Sequence, residues 1–271
     1  MARLADDAHP SPLRMIGRLG VEAWLPVALF VAWWVASDSS HSLYFPSLQT
    51  IVEAFGRTWL PAGITEHVLP SLGNLAAGFA IASALGVGFG LVLGLVRRLG
   101  AALSPILEFM RAVPAVALLP LGLLLLGIGS SMKIALIAYA AFWPILLTTV
   151  DGVRGIDATV QDVARSYRVP LHLRLTSVVL PGAAPQIMTG MRTSLSIGIT
   201  VIVFSEMAGS TEGIGYAILQ AQRGFRIAEM WAGMLALGII GYLLNIAFRA
   251  LEHRVLRWNR AMHHTMLAAR S

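Results

Sequence analysis

Few residues in this 271-residue chain could do chemistry, and they gather in two places. The first is a polar insert from Asp151 to Pro185, where Asp162-Val163-Ala164-Arg165-Ser166-Tyr167-Arg168 is followed, at a fixed distance, by Val178-Val179-Leu180-Pro181. The second is a set of polar groups inside or beside apolar stretches: Arg111, Ser194, Thr200 and Glu206. A charge at the centre of a bilayer costs at least about 2.5–3.5 kcal/mol on insertion scales, so such groups are expected to serve a translocation pathway, a gate or a buried bond. Glu108 and Arg111, three residues apart, can instead neutralise each other on one helix. Glu206 reads as a gate or a structural hydrogen bond rather than a substrate contact, because it would repel an anion. Ser194, Ser196 and Thr200 share one helix and could line a polar track, or bond back to their own helix.

Other chemistries fall away. The chain has no Cys, which removes disulfides, thiolate metal sites and cysteine nucleophiles. Its single lysine, Lys133, follows Ser130-Ser131-Met132 and fails the phosphate-binding pattern Gly-x-x-x-x-Gly-Lys-Ser/Thr, so no nucleotide or other cofactor is expected on this chain. All seven His lie outside the predicted spans, which leaves no base for an intramembrane serine hydrolase, and no metal site is expected. The other basic residues are nineteen Arg placed near apolar segments, where they orient spans and do not grip nucleic acid.

The elements that carry these residues are membrane helices. With 56% hydrophobic and 13% charged residues and a mean hydropathy of +0.72, the chain lies far outside the range of soluble domains. A span needs about 20 residues, and apolar stretches at 21–37, 69–96, 103–126, 134–150, 187–207 and 231–248 predict an all-α polytopic protein with about six. The first follows Arg3, Arg14 and Arg18 and reads as a retained span, with a cleaved signal peptide as its rival. Within the third, Ser104-Pro105, Pro114 and Pro120 predict an elbow or kinks. Gly86, Gly90 and Gly94 line one helix face at four-residue spacing, for close packing inside the subunit or against a second copy. Trp24, Trp33, Trp34, Trp231 and Trp258 fall near span ends as interfacial belts.

With the amino terminus inside, fifteen of the twenty Arg and Lys fall on that side and only Arg57, Lys133, Arg223 and Arg226 fall outside, Arg111 staying within a span. Both termini are then cytoplasmic, as is the insert. The expected organisation is a cytoplasmic segment 1–20, a transmembrane domain 21–250 containing the loop 151–185, and a cytoplasmic tail 251–271. No internal repeat is visible, so one chain makes half of a pathway. In the insert, Asp157 is a plausible N-cap, and Val160, Val163, Ala164 and Tyr167 form one apolar stripe of a helix that Pro170 stops. Leu180-Pro181-Gly182 through Pro185 is expected to break the chain and return it to the bilayer.

The insert resembles the EAA loop of permeases in binding-protein-dependent ABC importers, whose pattern is Glu-Ala-Ala, three residues, Gly, nine residues, then Ile-x-Leu-Pro. The spacing fits throughout, while Asp162 stands for Glu, Val163 for the first Ala, Arg168 for Gly and Val178 for Ile. Pro114 to Pro120, Gly127-Ile128-Gly129, Thr149 to Arg154, Ser205-Glu206-Met207 and Gly213-Ile214-Gly215-Tyr216 are similar to the nitrate/sulfonate/taurine subfamily.

The resemblance implies the type I importer permease fold and a coupling helix that docks on an ATPase subunit. Its docking face and turn would be Asp162, Val163, Ala164, Tyr167, Arg168, Val169, Pro170 and Leu171. It also implies a permease homodimer, two cytoplasmic ATPase subunits that hold ATP and magnesium, an extracytoplasmic solute-binding protein, and a prokaryotic plasma membrane. The substrate would be a small anion or zwitterion of the sulfonate, taurine or nitrate type. A secondary transporter or channel not powered by ATP is the alternative. It would bury acidic or His relay groups at mid-membrane and would have no use for the docking insert.

Overall fold

The computed structural model describes residues 44–257 together with 24, 28, 31–35 and 37. The ordered elements are α1 (Leu48–Thr58), a wide-turned segment Trp59–Val68, α2 (Leu69–Leu95), α3 (Arg97–Ala112), a tight turn Ala115–Leu118, and α4 (Leu119–Leu126). They continue with α5 (Ser130–Arg154), α6 (Ala158–Ser166), the short α7 (Leu171–Arg174), a second wide turn Leu175–Val179, α8 (Leu180–Gly209), α9 (Ile214–Arg223) and α10 (Ile227–Val255).

Four segments among the described residues are long and apolar enough to span a membrane: Leu48–Leu95, Ser130–Arg154, Leu171–Gly209 and Ile227–Val255. The pair Arg97–Ala112 and Ala115–Leu126, bent by 76°, makes a fifth if counted as one span. The expected first span at 21–37 falls mostly outside the described residues, as does the segment 1–20. Four stretches read from the sequence match α2, α5, α8 and α10 closely. Helix α10 runs unbroken to Val255, past the position 250/251 where the transmembrane domain was expected to end.

The centre of the bundle is set by small residues. Helices α2 and α5 run parallel, and the glycine face extends further than the three residues first singled out. Cβ atoms added at Gly78, Gly86, Gly90 and Gly94 would meet Ile137, Ile145, Thr149 and Val153 in turn, each pair separated by the same step along the chain. At Gly90 the added atom would lie 2.5 Å from the Thr149 Cβ, so the backbones can approach this closely only without a side chain there. The stripe therefore packs inside the subunit. Helix α8 lies antiparallel on the other side of α5. Ser194 Oγ donates to the Ala141 carbonyl at 2.7 Å, and Gly190 sits where a Cβ would overlap the Thr148 hydroxyl.

Two proline segments settle differently. Val113 is extended (φ −75°, ψ 116°) because a residue before proline is pushed out of the helical region, and the elbow forms there. Pro105 lies inside α3 without ending it, so that helix begins at Arg97 and not at Ser104. The break expected at Leu180 to Pro185 does not occur. The chain is helical from Leu171 to Gly209, because the wide turn at Leu175–Val179 precedes Pro181, whose missing N–H falls in the first turn of α8.

Candidate functional site

The insert holds a capped helix that stands off the end of α5. Gly155 closes α5 by donating its N–H to the Asp151 carbonyl at 2.8 Å, and Asp157 Oδ1 then accepts from the Thr159 N–H at 2.7 Å, starting α6. That bond holds the fully exposed Asp157 carboxyl below its ordinary range. At the other end Arg168 takes φ 48°, and the Val169 N–H donates to the Ala164 carbonyl at 3.0 Å. This is the left-handed exit that glycine usually supplies, with Arg168 two residues past the last helical residue, Ser166, and Val169 closing back over it. Arg168 thus occupies the glycine position of the EAA pattern in the conformation glycine would take.

Side-chain exposure divides the expected docking residues. Val163 is 51%, Tyr167 81% and Leu171 66% exposed, with Val160, Asp162, Arg168 and Pro170 also open and Val169 half-buried. An apolar stripe facing outward is the reverse of what a helix packed on its own chain shows. Ala164 is the correction: at 6% exposure it is buried in the chain and cannot itself present a docking surface, as its place in the stripe suggested.

The polar residues of the spans separate as well. Glu206 is not on a pathway surface. It is 1% exposed, and its carboxylate accepts from Ser71 Oγ at 2.6 Å and from the Gly215 N–H at 2.9 Å. Ser71 Oγ in turn accepts the Ile214 N–H at 3.0 Å. Gly213, at φ 109°, passes so close that any Cβ would overlap the Glu206 carboxylate. One carboxylate therefore ties α8 to α2 and to the start of α9, at the end of the bundle opposite α6.

Beside it, Lys133 is 1% exposed and donates from Nζ to Ser210 Oγ at 2.8 Å. Sequence reasoning had placed Lys133 in a loop. Its position one turn into an apolar helix, beyond Ser130, was the signal that it belonged to a buried polar cluster.

Ser194 is a second correction. Fully buried, it bonds across to α5 and lines no track. Thr200 is exposed and donates to the Ser196 carbonyl of its own helix at 3.2 Å.

Arg111 differs from all of these. It forms no ion pair with Glu108, whose Oε1 accepts from Ser104 at 3.2 Å. It lies in the last turn of α3, on the wall of a cavity of about 490 Å³ bounded by the elbow, α5 and α8. No His, Asp and Glu cluster able to hold a metal ion occurs among the described residues.

The fold matches that of a chain in inward-facing structures of the MetNI methionine ABC transporter, with a TM-score of 0.61, 21% identity, and coverage of 70% of this chain and 94% of that one. Sequence comparison adds three relatives. A putative aliphatic sulfonates transport permease, SsuC of Bacillus subtilis, is 33% identical over 88% of this chain and 87% of its own length. The taurine transport permease TauC of Escherichia coli is 32% identical over 87% and 88%. The bicarbonate transport permease CmpB of Synechococcus elongatus is 33% identical over 74% and 73%. Residues 86–260 match the profile of the inner membrane component of binding-protein-dependent transport systems, and with these relatives the chain belongs to that family.

Proposed function

We propose that this chain is the permease subunit of an ATP-driven importer and that α6 is the coupling helix through which partner ATPases move the bundle. The observation that carries the reading is the outward-facing apolar set of Val160 and Val163 on a helix capped at both ends, with Tyr167 at its exit and Leu171 just beyond it. A groove on an ATPase subunit would cover that stripe, and Arg168 at its rim would meet an acidic group there. Rigid caps matter because a helix that frays under load transmits no displacement.

The pathway is completed by a second copy of the chain, and an extracytoplasmic binding protein delivers the solute. ATP and magnesium act on the ATPase subunits, so this chain supplies the conduit and not the hydrolysis. The end bearing α6 faces the cytoplasm with both termini, a reading that the excess of Arg assigned to that side supports. The cargo is a small anion or zwitterion, for which the sulfonate, taurine and bicarbonate permeases among the relatives are the support.

Purification from membranes in mild detergent tests the assignment. The tagged chain is expected to bring down an ATPase, and reconstituted vesicles are expected to take up solute only with ATP. Absence of the ATPase together with uptake in ATP-depleted vesicles overturns it. Because the native chain has no Cys, a single Cys introduced at Ser166 reports orientation directly, and labelling of that Cys from outside intact cells refutes the proposed topology.

A further inference from the structure

We propose that the groove between α2 and α10 is a binding site for an anionic phospholipid, whose acyl chain lies in the groove and whose phosphate is held by Arg254 at the end of the bundle that bears α6. The site is separate from the elbow cavity. Ile197 and Val201, which line that cavity, fall about 200° and 240° round α8 from Leu195, the floor of the groove.

The groove suits hydrocarbon. Leu72 and Phe79 of α2 and Leu244, Phe248 and Leu251 of α10 form its walls, and every residue lining it is apolar. The walls touch where Phe79 and Phe248 meet edge to face at 6.2 Å, and beside that contact about 360 Å³ stays open. A hollow of this kind is not left empty in a bilayer, because a gap forfeits the dispersion contacts of its lining. From Leu244 to Leu251 the helix rises about 10 Å, which gives the groove a cross-section of about 35 Å². That admits an acyl chain and is too narrow for a helix, which is about 10 Å across.

Charge decides which lipid. Arg254 follows Ala247 by seven residues and Leu251 by three, so this exposed cation continues the face of α10 that lines the groove. Leu244 to Arg254 spans about 15 Å, half of a hydrocarbon core about 30 Å thick, so a cation at headgroup level puts the upper end of the groove near the midplane. Between positions 249 and 257 three Arg accompany a single acid, Glu252, and Arg192 of α8 already pairs with it at the foot of the groove. The surplus is positive, and a basic foot on an apolar slot between helices matches a phosphate with its tail.

The first apolar stretch is the rival occupant within this chain. Its Trp33 ring lies 6.0 Å from Trp231, thirteen residues and about 20 Å before Leu244, at the opposite end of α10.

The test uses the purified, detergent-washed protein with any subunit that accompanies it, so its outcome does not depend on the importer reading. Native mass spectrometry and thermal shift are run with phosphatidylglycerol and phosphatidylethanolamine of the same acyl chains. Phosphatidylglycerol is expected to be retained and to stabilise at concentrations about fivefold or more lower. Arg254→Gln is expected to remove about fivefold of that preference, the scale of one Arg near a headgroup, and to leave weak binding of both lipids. Ala247→Trp and, separately, Ala76→Trp fill the groove from opposite walls at exposed positions. Each is expected to weaken both lipids while the lipid-free protein melts as the parent does, and either variant alone suffices.

Equal retention of the two lipids by the parent, or unchanged binding in the groove-filled variants, overturns the proposal. Because the chain has no Cys, Ala247→Cys names the other occupants. Its thiol is expected to react with a maleimide in washed protein and to be shielded when phosphatidylglycerol is restored. A disulfide-linked dimer formed in membranes assigns the groove to a second copy, and a thiol that stays unreactive after washing assigns it to this chain's own first stretch; each overturns the lipid site.

Discussion

Replacing Glu206 by Gln tests whether this carboxylate is a fastener between helices or a group that meets cargo. The native carboxylate accepts two hydrogen bonds, from Ser71 Oγ and from the Gly215 N–H. A Gln side chain offers one acceptor oxygen, and its amide must then point two hydrogens at a hydroxyl that already receives the Ile214 N–H or at a backbone donor. One bond to a charged group is lost, worth about 1.5–3 kcal/mol, and one buried donor is left unsatisfied at about 1–3 kcal/mol. With partial relaxation the expected destabilisation is about 2–4 kcal/mol.

Lys133 also loses the negative charge of Glu206 with which it interacts, which adds to the cost in the same direction. The assay is thermal inactivation of the detergent-solubilised complex, followed by intrinsic fluorescence and size-exclusion recovery. Glu206→Gln should unfold several degrees lower, and Ser71→Ala should do so by a smaller amount and fail to add fully when combined with it. Unchanged thermal stability in Glu206→Gln, accompanied by lost uptake, refutes the fastener and returns Glu206 to the pathway.

The remaining predictions address packing and coupling. Gly90→Ala should destabilise the bundle by about 1–3 kcal/mol through overpacking on Thr149, while Gly88→Ala, with open space around it, should be neutral or gain up to about 1 kcal/mol; melting both variants side by side decides it. Val163→Asp and Tyr167→Ala should abolish ATP-driven uptake while leaving membrane insertion and thermal stability near those of the parent, whereas Ala164→Glu should also lower stability because Ala164 is buried. Arg168→Gly relieves a left-handed side chain by roughly 1–2 kcal/mol and adds chain entropy to the unfolded state of about 0.5–1 kcal/mol. Its melting point should therefore barely change, and a fall in uptake would report a lost contact to the ATPase. The Asp157 cap is formed by a carboxylate whose pKa is lowered in the folded state, so its contribution is present above the unfolded pKa and lost as pH falls through the folded one. Deuterium uptake across 157–168, corrected for intrinsic rates, should rise below about pH 4 in the parent and be raised at neutral pH in Asp157→Ala.

The sequence by itself determined what depends on near neighbours. Long apolar runs gave α2, α5, α8 and α10, Pro114 gave the elbow, and Asp157 started α6, because hydropathy, caps and proline sterics act within a few residues; the end of α6 came earlier than Pro170, at Ser166, with the left-handed Arg168 turning the chain. The stripe of Gly86, Gly90 and Gly94 was legible as a close approach, yet its partner helix was not.

Tertiary structure alone decided the rest. Ser71 meets Glu206 across 135 positions, Lys133 meets Ser210 across 77 and Ser194 meets Ala141 across 53. No periodicity encodes such pairings, since a polar side chain in a span is a pathway group or a buried fastener according to which helix packs over it. Ala164 turned inward for the same reason, and Arg111 came to lie between the elbow cavity and a second one that Glu108 and Asp151 also line.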